Sequence, residues 1–220
     1  MEQMNTPVAL PDGQIGRPRN ADKAERQAKL LNAAEELFLG QGYGRVSLEA
    51  IARRARVAVR TIYVKFGGKA GLLNALIEAG RSRYFDGMLD LDSDPRRVDA
   101  ILADFALRYI DLLSQPQHLK LYRMVIAEAE STPEFAETFF RAGPLQTREQ
   151  LVRLFRRADI AAQLGSDLLA DFLALHFLNC LVGDQTTRLL FGADAACDGR
   201  SPELQARRGL KLFLQGVRQR

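Results

Sequence analysis

Residues Arg56–Phe66 read RVAVRTIYVKF, directly after the alanine-rich run SLEAIARRA of residues 47–55. The apolar residues Val59, Ile62, Tyr63 and Phe66 recur at i, i+3, i+4 and i+7, the spacing of one helix face. Before them, Leu48, Ile51, Ala52 and Ala55 mark the inward face of a short helix whose alanines permit a close crossing. Ser47 stands at the cap position of that helix. Upstream, Leu30, Leu31, Ala34, Leu37 and Phe38 form a third stripe, with Gly42 placed to end it. Three helices with a short turn between the second and third make a helix-turn-helix unit, the geometry that lays a recognition helix in the major groove.

The residues left on the outward face carry the chemistry. Arg53, Arg54, Arg56, Arg60, Thr61 and Lys65 point away from the expected core. Arg60 and Thr61 fall near the start of the third helix, where base edges are read; arginine suits guanine, and threonine offers a hydroxyl and a methyl. Ser47, Tyr63, Lys65 and Lys69 suit phosphate contacts, which position a protein without reading sequence. The Tyr63 ring is expected to pack inward with its hydroxyl at the surface. Arg17 and Arg19, in the extended segment Gly16–Arg19, suit a narrow minor groove; the same composition also fits an unstructured tail with incidental charge.

Charge distribution agrees. Residues 16–70 hold 12 Lys/Arg against 5 Asp/Glu, whereas residues 71–220 hold 19 against 20. The basic character, and the polyanion partner it implies, belongs to the first third of the chain. The 220 residues are 47% hydrophobic, enough for a core, with no apolar run near twenty residues and no basic-then-apolar leader. Cys180 and Cys197 lack the spacing of a metal pair, and no cofactor or metal is expected. These features make a cytoplasmic protein the default, with no membrane partner.

Helical periodicity continues to the end of the chain, with no alternating strand pattern. Helices are expected at 22–40, 47–55, 59–66, 69–86, 95–114, 117–130, 133–158, 166–191 and 202–218. Asp94-Pro95, Thr132-Pro133 and Ser201-Pro202 each put a capping side chain before a proline at the first helical position. The fold class is therefore all-α. A flexible basic-ended arm (1–20) precedes a helix-turn-helix DNA-binding domain (21–68) and a larger helical ligand-binding and dimerisation domain (69–220).

Residues 30–77, LLNAAEELFLGQGYGRVSLEAIARRARVAVRTIYVKFGGKAGLLNALI, resemble the DNA-binding domain of TetR-type transcriptional regulators. The likeness rests on AxELF, GY, IAxxA, TIYxxF and the K-x-x-L-L-x-A-x-I run. It implies DNA contacts at Ser47, Thr61, Tyr63 and Lys69. Two positions depart from the family pattern: Arg56 replaces the usual turn glycine, and Ala58 replaces the usual serine or threonine cap. Arg56 either contacts DNA or merely occupies the turn.

The later segment YIDLLSQPQHLKLYRMVIAEAESTPEFAETFFRAGP, residues 109–144, resembles more loosely an AefR-like subgroup of the family. That likeness implies a small-molecule pocket and a homodimer through the last two helices. Independently, helix 166–191 is apolar over too much of its circumference for a one-sided surface helix, so it is central or shared with a partner. Phe105, Tyr109, Met124, His176 and Asn179 are candidate pocket residues; for the last two a core or interface role competes. A ligand-responsive repressor on a palindromic operator follows, released by a small apolar or amphipathic effector. A helical protein-binding adaptor with a degenerate DNA unit, or an all-helical enzyme, are the alternatives.

Overall fold

The computed structural model describes residues 20–88, 90–165, 168–191 and 201–218. Twelve α-helices run through these residues: α1 (Asn20–Gln41), α2 (Leu48–Ala55), α3 (Val59–Phe66), α4 (Lys69–Phe85), α5 (Val98–Ser114) and α6 (Pro116–Glu128), then α7 (Pro133–Phe140), α8 (Gln146–Arg156), α9 (Ala158–Leu164), α10 (Ala170–Val182), α11 (Gln185–Leu190) and α12 (Pro202–Arg218). No strand occurs among the described residues. The all-α class is confirmed.

Two hydrophobic clusters organise the helices. One gathers Leu30 and Phe38 of α1, Ile51 of α2, Ile62 of α3 and Leu72 of α4, and continues into Val125, Phe135 and Phe139 of α6 and α7. The other gathers Ile101 and Phe105 of α5, Phe155 of α8, Phe177 of α10 and Phe213 of α12. The small helices thus share their core with α6 and α7, which burial of a few apolar side chains on three short helices alone would not stabilise. Tyr43, in the loop after α1, stacks on Phe135 of α7 at 4.5 Å between ring centres.

Three expected boundaries are corrected. The helix expected at 133–158 is broken by a π-helical segment, Arg141–Leu145, and ends at Arg156. Pro144 lies inside that segment; it has no N–H to donate and its ring crowds the preceding turn, so the turn widens. The expected 166–191 helix divides at Gly183, whose φ of +50° no β-carbon-bearing residue adopts easily and whose N–H closes on the Asn179 carbonyl at 3.0 Å. Asp94-Pro95 does not start α5. The Asp94 side chain turns inward to accept from the Arg96 backbone and guanidinium, and the helix begins three residues later. Pro133 and Pro202 do occupy first-turn positions; Ser201 Oγ caps α12 through the Leu204 N–H at 3.2 Å, whereas the Thr132 side chain makes no capping bond.

Candidate nucleic-acid interface and ligand cavity

The turn between α2 and α3 is built on Arg56. Its φ and ψ of 55° and 45° are left-handed, and it alone among the described non-glycine residues has positive φ. The Val57 N–H reaches back to the Ala52 carbonyl at 2.9 Å, so a six-residue reverse turn closes α2 in the manner usually supplied by glycine. Ser47 Oγ accepts the Ala50 N–H at 3.2 Å and caps the other end. Ala58 has the extended conformation of a cap and no side-chain capping bond. Both local departures read from the sequence are real features of the backbone.

Ile62 is completely buried and fixes the inner face of α3. Arg60 and Lys65 are exposed on its outer face, and Thr61 is half-buried. Tyr63 corrects the expected packing: it is 56% exposed, and Val59, Ile62 and Phe66 take the places against the core. Val64, not singled out from the sequence, is exposed to 76% beside it. Arg53 and Arg56 are exposed on the α2 side, but Arg54 is bound to Glu36 of α1 at 2.7 Å. Lys69 leans away from α3 onto the α1–α2 loop. Its Nζ lies 4.3 Å from the Tyr43 ring centre and 3.4 Å from the Gly44 carbonyl, and burial lowers its pKa. Arg17 and Arg19 lie outside the described residues.

That loop is also gripped from α6. Glu128, the last residue of α6, accepts the Tyr43 and Gly44 N–H groups at 3.1 and 2.8 Å. The grip matters because α6 is a wall of a cavity of about 710 Å³ between α1, α4, α5, α6 and the π-helical segment. Its lining is mixed: Leu76, Leu112, Leu121 and Phe139 are apolar, while Tyr109, His118, Tyr122, Thr147 and Arg81 offer polar groups. Burial pushes the Tyr109 phenol up to about 12 and lowers the pKa of His118, so both are neutral near pH 7. A second cavity, about 460 Å³, lies across α4 and shares Arg81 with the first.

Of the pocket residues read from the sequence, Tyr109 lines the larger cavity and Phe105 the smaller. Met124 packs in the first hydrophobic cluster and lines neither. His176 and Asn179 line neither cavity: both lie exposed on the outer face of α10, because Leu173, Ala174, Phe177 and Leu181 take the inner one. The histidine of the cavity is His118, stacked near Tyr122 and Phe139. Its place after the helix-opening Pro116 gave no signal in the sequence, since lining a cavity depends on which helices face each other.

Comparison with known proteins decides the family. Residues 30–76 match the domain described as bacterial regulatory proteins, tetR family, and residues 100–216 match the AefR-like transcriptional repressor C-terminal domain. The transcriptional regulator AcuR of Cereibacter sphaeroides is 30% identical over 187 residues, 80% of this chain and 83% of AcuR. The chain belongs to the TetR family.

Other members bear this out. The HTH-type transcriptional regulator SrpR of Pseudomonas putida is 28% identical over 115 residues, which is about half of each chain (51%). The flavonoid-responsive regulator FrrA superposes with a TM-score of 0.66 at 25% identity, covering 88% of this chain and 97% of FrrA. TetR-family regulators bind DNA, and the relatives of this chain are transcriptional regulators, not enzymes. No helix among the described residues is long and apolar enough to cross a membrane.

Proposed function

We propose that this TetR-family chain is a ligand-responsive repressor that binds a palindromic operator as a homodimer and is released by a small apolar or amphipathic effector. One observation carries the reading: α6 both walls the large cavity and, through Glu128, holds the loop that positions α2 and α3. An effector that favours a different α6 position changes the placement of α3, so effector and DNA compete through one bistable element. The response of FrrA to flavonoids supports a small-molecule signal of this kind.

In this reading residues 21–68 bind DNA and residues 69–220 bind the effector and the partner subunit. Arg60 and Thr61 meet base edges. Ser47, Tyr63 and Lys65 meet phosphates, and Arg56, Lys69, Arg17 and Arg19 add to the basic surface. The dimer forms through α10 and α12. Leu169, Phe172, Leu175 and Leu212 are exposed apolar side chains there, beside His176 and Asn179, and a partner subunit would cover them. Its two-fold sets two α3 helices about 34 Å apart, one DNA turn, which requires a palindromic site. The protein acts where its operator is, in the cytoplasm.

The test is selection of bound sequences from a random DNA pool, followed by gel shifts at physiological salt. Arg60→Ala combined with Tyr63→Phe should abolish binding to the selected sequence while sedimentation still reports a dimer. Undiminished binding removes α3 from the role of recognition helix.

A further inference from the structure

Arg81, on α4, stands in the wall common to both cavities and, like Arg148 of α8, is a part-buried arginine with no carboxylate partner among the described residues. Arg96, Arg108 and Arg157, part-buried as well, each have an aspartate within 3.2 Å. Arg81 has no carboxylate at ion-pairing distance among the described residues. Its Nη1 donates to Gln146 Oε1 and, at 3.4 Å, to the Ala142 carbonyl; its Nη2 donates to Gln150 Oε1 at 2.8 Å. All three acceptors are neutral, and the buried Nε has no partner at all. Burial pulls the guanidinium below its usual pKa, although nothing within reach of pH 7 discharges it.

A part-buried charge whose nearest carboxylate, Glu78, acts on it only from beyond ion-pairing distance is costly, and a ligand that supplies the opposite charge in contact recovers part of that cost. We propose that the effector is an amphipathic organic acid whose carboxylate sits on Arg81 and whose apolar body fills the larger cavity. This rests on the ligand-responsive reading above and names the ligand class for the same cavity. Around the larger cavity the cations outnumber the carboxylates, Arg81 and Arg83 against Glu35. Glu78, one turn earlier on α4, is exposed and its carboxylate takes the Asn74 amide at 2.9 Å. Glu35 lines the larger cavity from α1, and Arg83 adds a second cation at its edge. Beside Arg81, Tyr109 stays protonated and is a second donor for a carboxylate oxygen. Leu76, Leu112 and Phe139 furnish an apolar wall for a chain or ring, and the volume suits a molecule of that size. A cationic effector would bring like charge against Arg81.

The experiment uses calorimetry on the full-length protein with octanoate and phenylbutanoate, each against its primary amide and its amine. The acids should bind about tenfold or more tightly than the amides, the factor worth one charged hydrogen bond. Arg81→Met should erase that preference. Because Arg81→Met risks the fold, Gln146→Glu is the second variant: it keeps the arginine and gives it an internal carboxylate. It too should erase the preference, while circular dichroism remains that of the wild type. Amides or amines that bind as well as the acids, acids that do not bind, or a preference that survives both variants would each overturn the assignment. Release of the selected DNA is read in parallel. Acids that bind through Arg81 without releasing DNA leave the ligand class standing and defeat the ligand-responsive reading. Amines or amides that release DNA when acids do not would do the reverse.

Discussion

Replacing Arg56 by glycine should stabilise the protein, even though it removes a large side chain. Arg56 holds a left-handed conformation, φ 55° and ψ 45°, at the closing position of α2. For a residue with a β-carbon that conformation costs roughly 1–2 kcal/mol. Glycine relieves it but makes the unfolded chain more flexible, an offset of about 0.4–1 kcal/mol. The net gain is about 0.5–1 kcal/mol, which for a chain of this size raises the melting temperature by roughly 1–4 °C. The side chain is exposed, so its removal carries little packing loss. Urea unfolding followed by circular dichroism, at one protein concentration, measures the change. Arg56→Ala is the control, since it removes the side chain and keeps the backbone penalty; it should stay within about 0.5 kcal/mol of wild type. If glycine and alanine destabilise alike, the guanidinium makes an interaction that outweighs the strain, and the reasoning fails. Gel shifts on the same proteins decide the second question. Weaker DNA binding by both variants makes Arg56 a contact, and unchanged binding makes it only a turn residue.

Ala58→Ser supplies the missing oxygen at a cap whose backbone is already extended, φ −74° and ψ 143°. It should add about 1 kcal/mol by the same unfolding assay, and non-specific DNA affinity should rise if the hydroxyl also reaches a phosphate. Gly209→Ala should destabilise by about 1–3 kcal/mol, because a β-carbon there would stand 2.4 Å from the Cys180 carbonyl oxygen where α12 crosses α10. A neutral result in urea unfolding would mean that the two helices separate without loss. Asp94→Asn should cost about 1–3 kcal/mol at neutral pH, since it replaces a buried carboxylate oxygen that accepts from Arg96 by an amide nitrogen that can only donate toward that guanidinium. The bonds from Arg96 hold the Asp94 carboxyl below its ordinary pKa. Its stabilisation is therefore complete above about pH 4 and is lost as pH falls through the lower folded value, so the two proteins should converge in acid. A difference that persists unchanged at low pH would refute the ionic account.

The sequence by itself determined the secondary-structure class, the three-helix unit and the family, because those depend on local spacing. Apolar residues at helical intervals, caps at Ser47 and Ser201, and small residues at Ala52 and Ala55 are all short-range signals. Even the two departures at Arg56 and Ala58 were legible, and both appear in the backbone as read. Periodicity could not say which helices face one another. It assigned Tyr63 inward by its spacing from Ile62 and Phe66, while tertiary packing left it exposed. It left His176 and Asn179 between a pocket and a core or interface role; packing of α10 on α8 and α12 turned them outward, and the cavity histidine is His118. It saw one helix across Pro144, where the missing N–H and the ring open a π turn. Least visible of all was Arg81, an ordinary arginine in the run GRSRY. Only when α4 lies against α8 does its guanidinium meet two glutamines and a carbonyl instead of a carboxylate, because charge compensation is settled by neighbours in space and not in sequence.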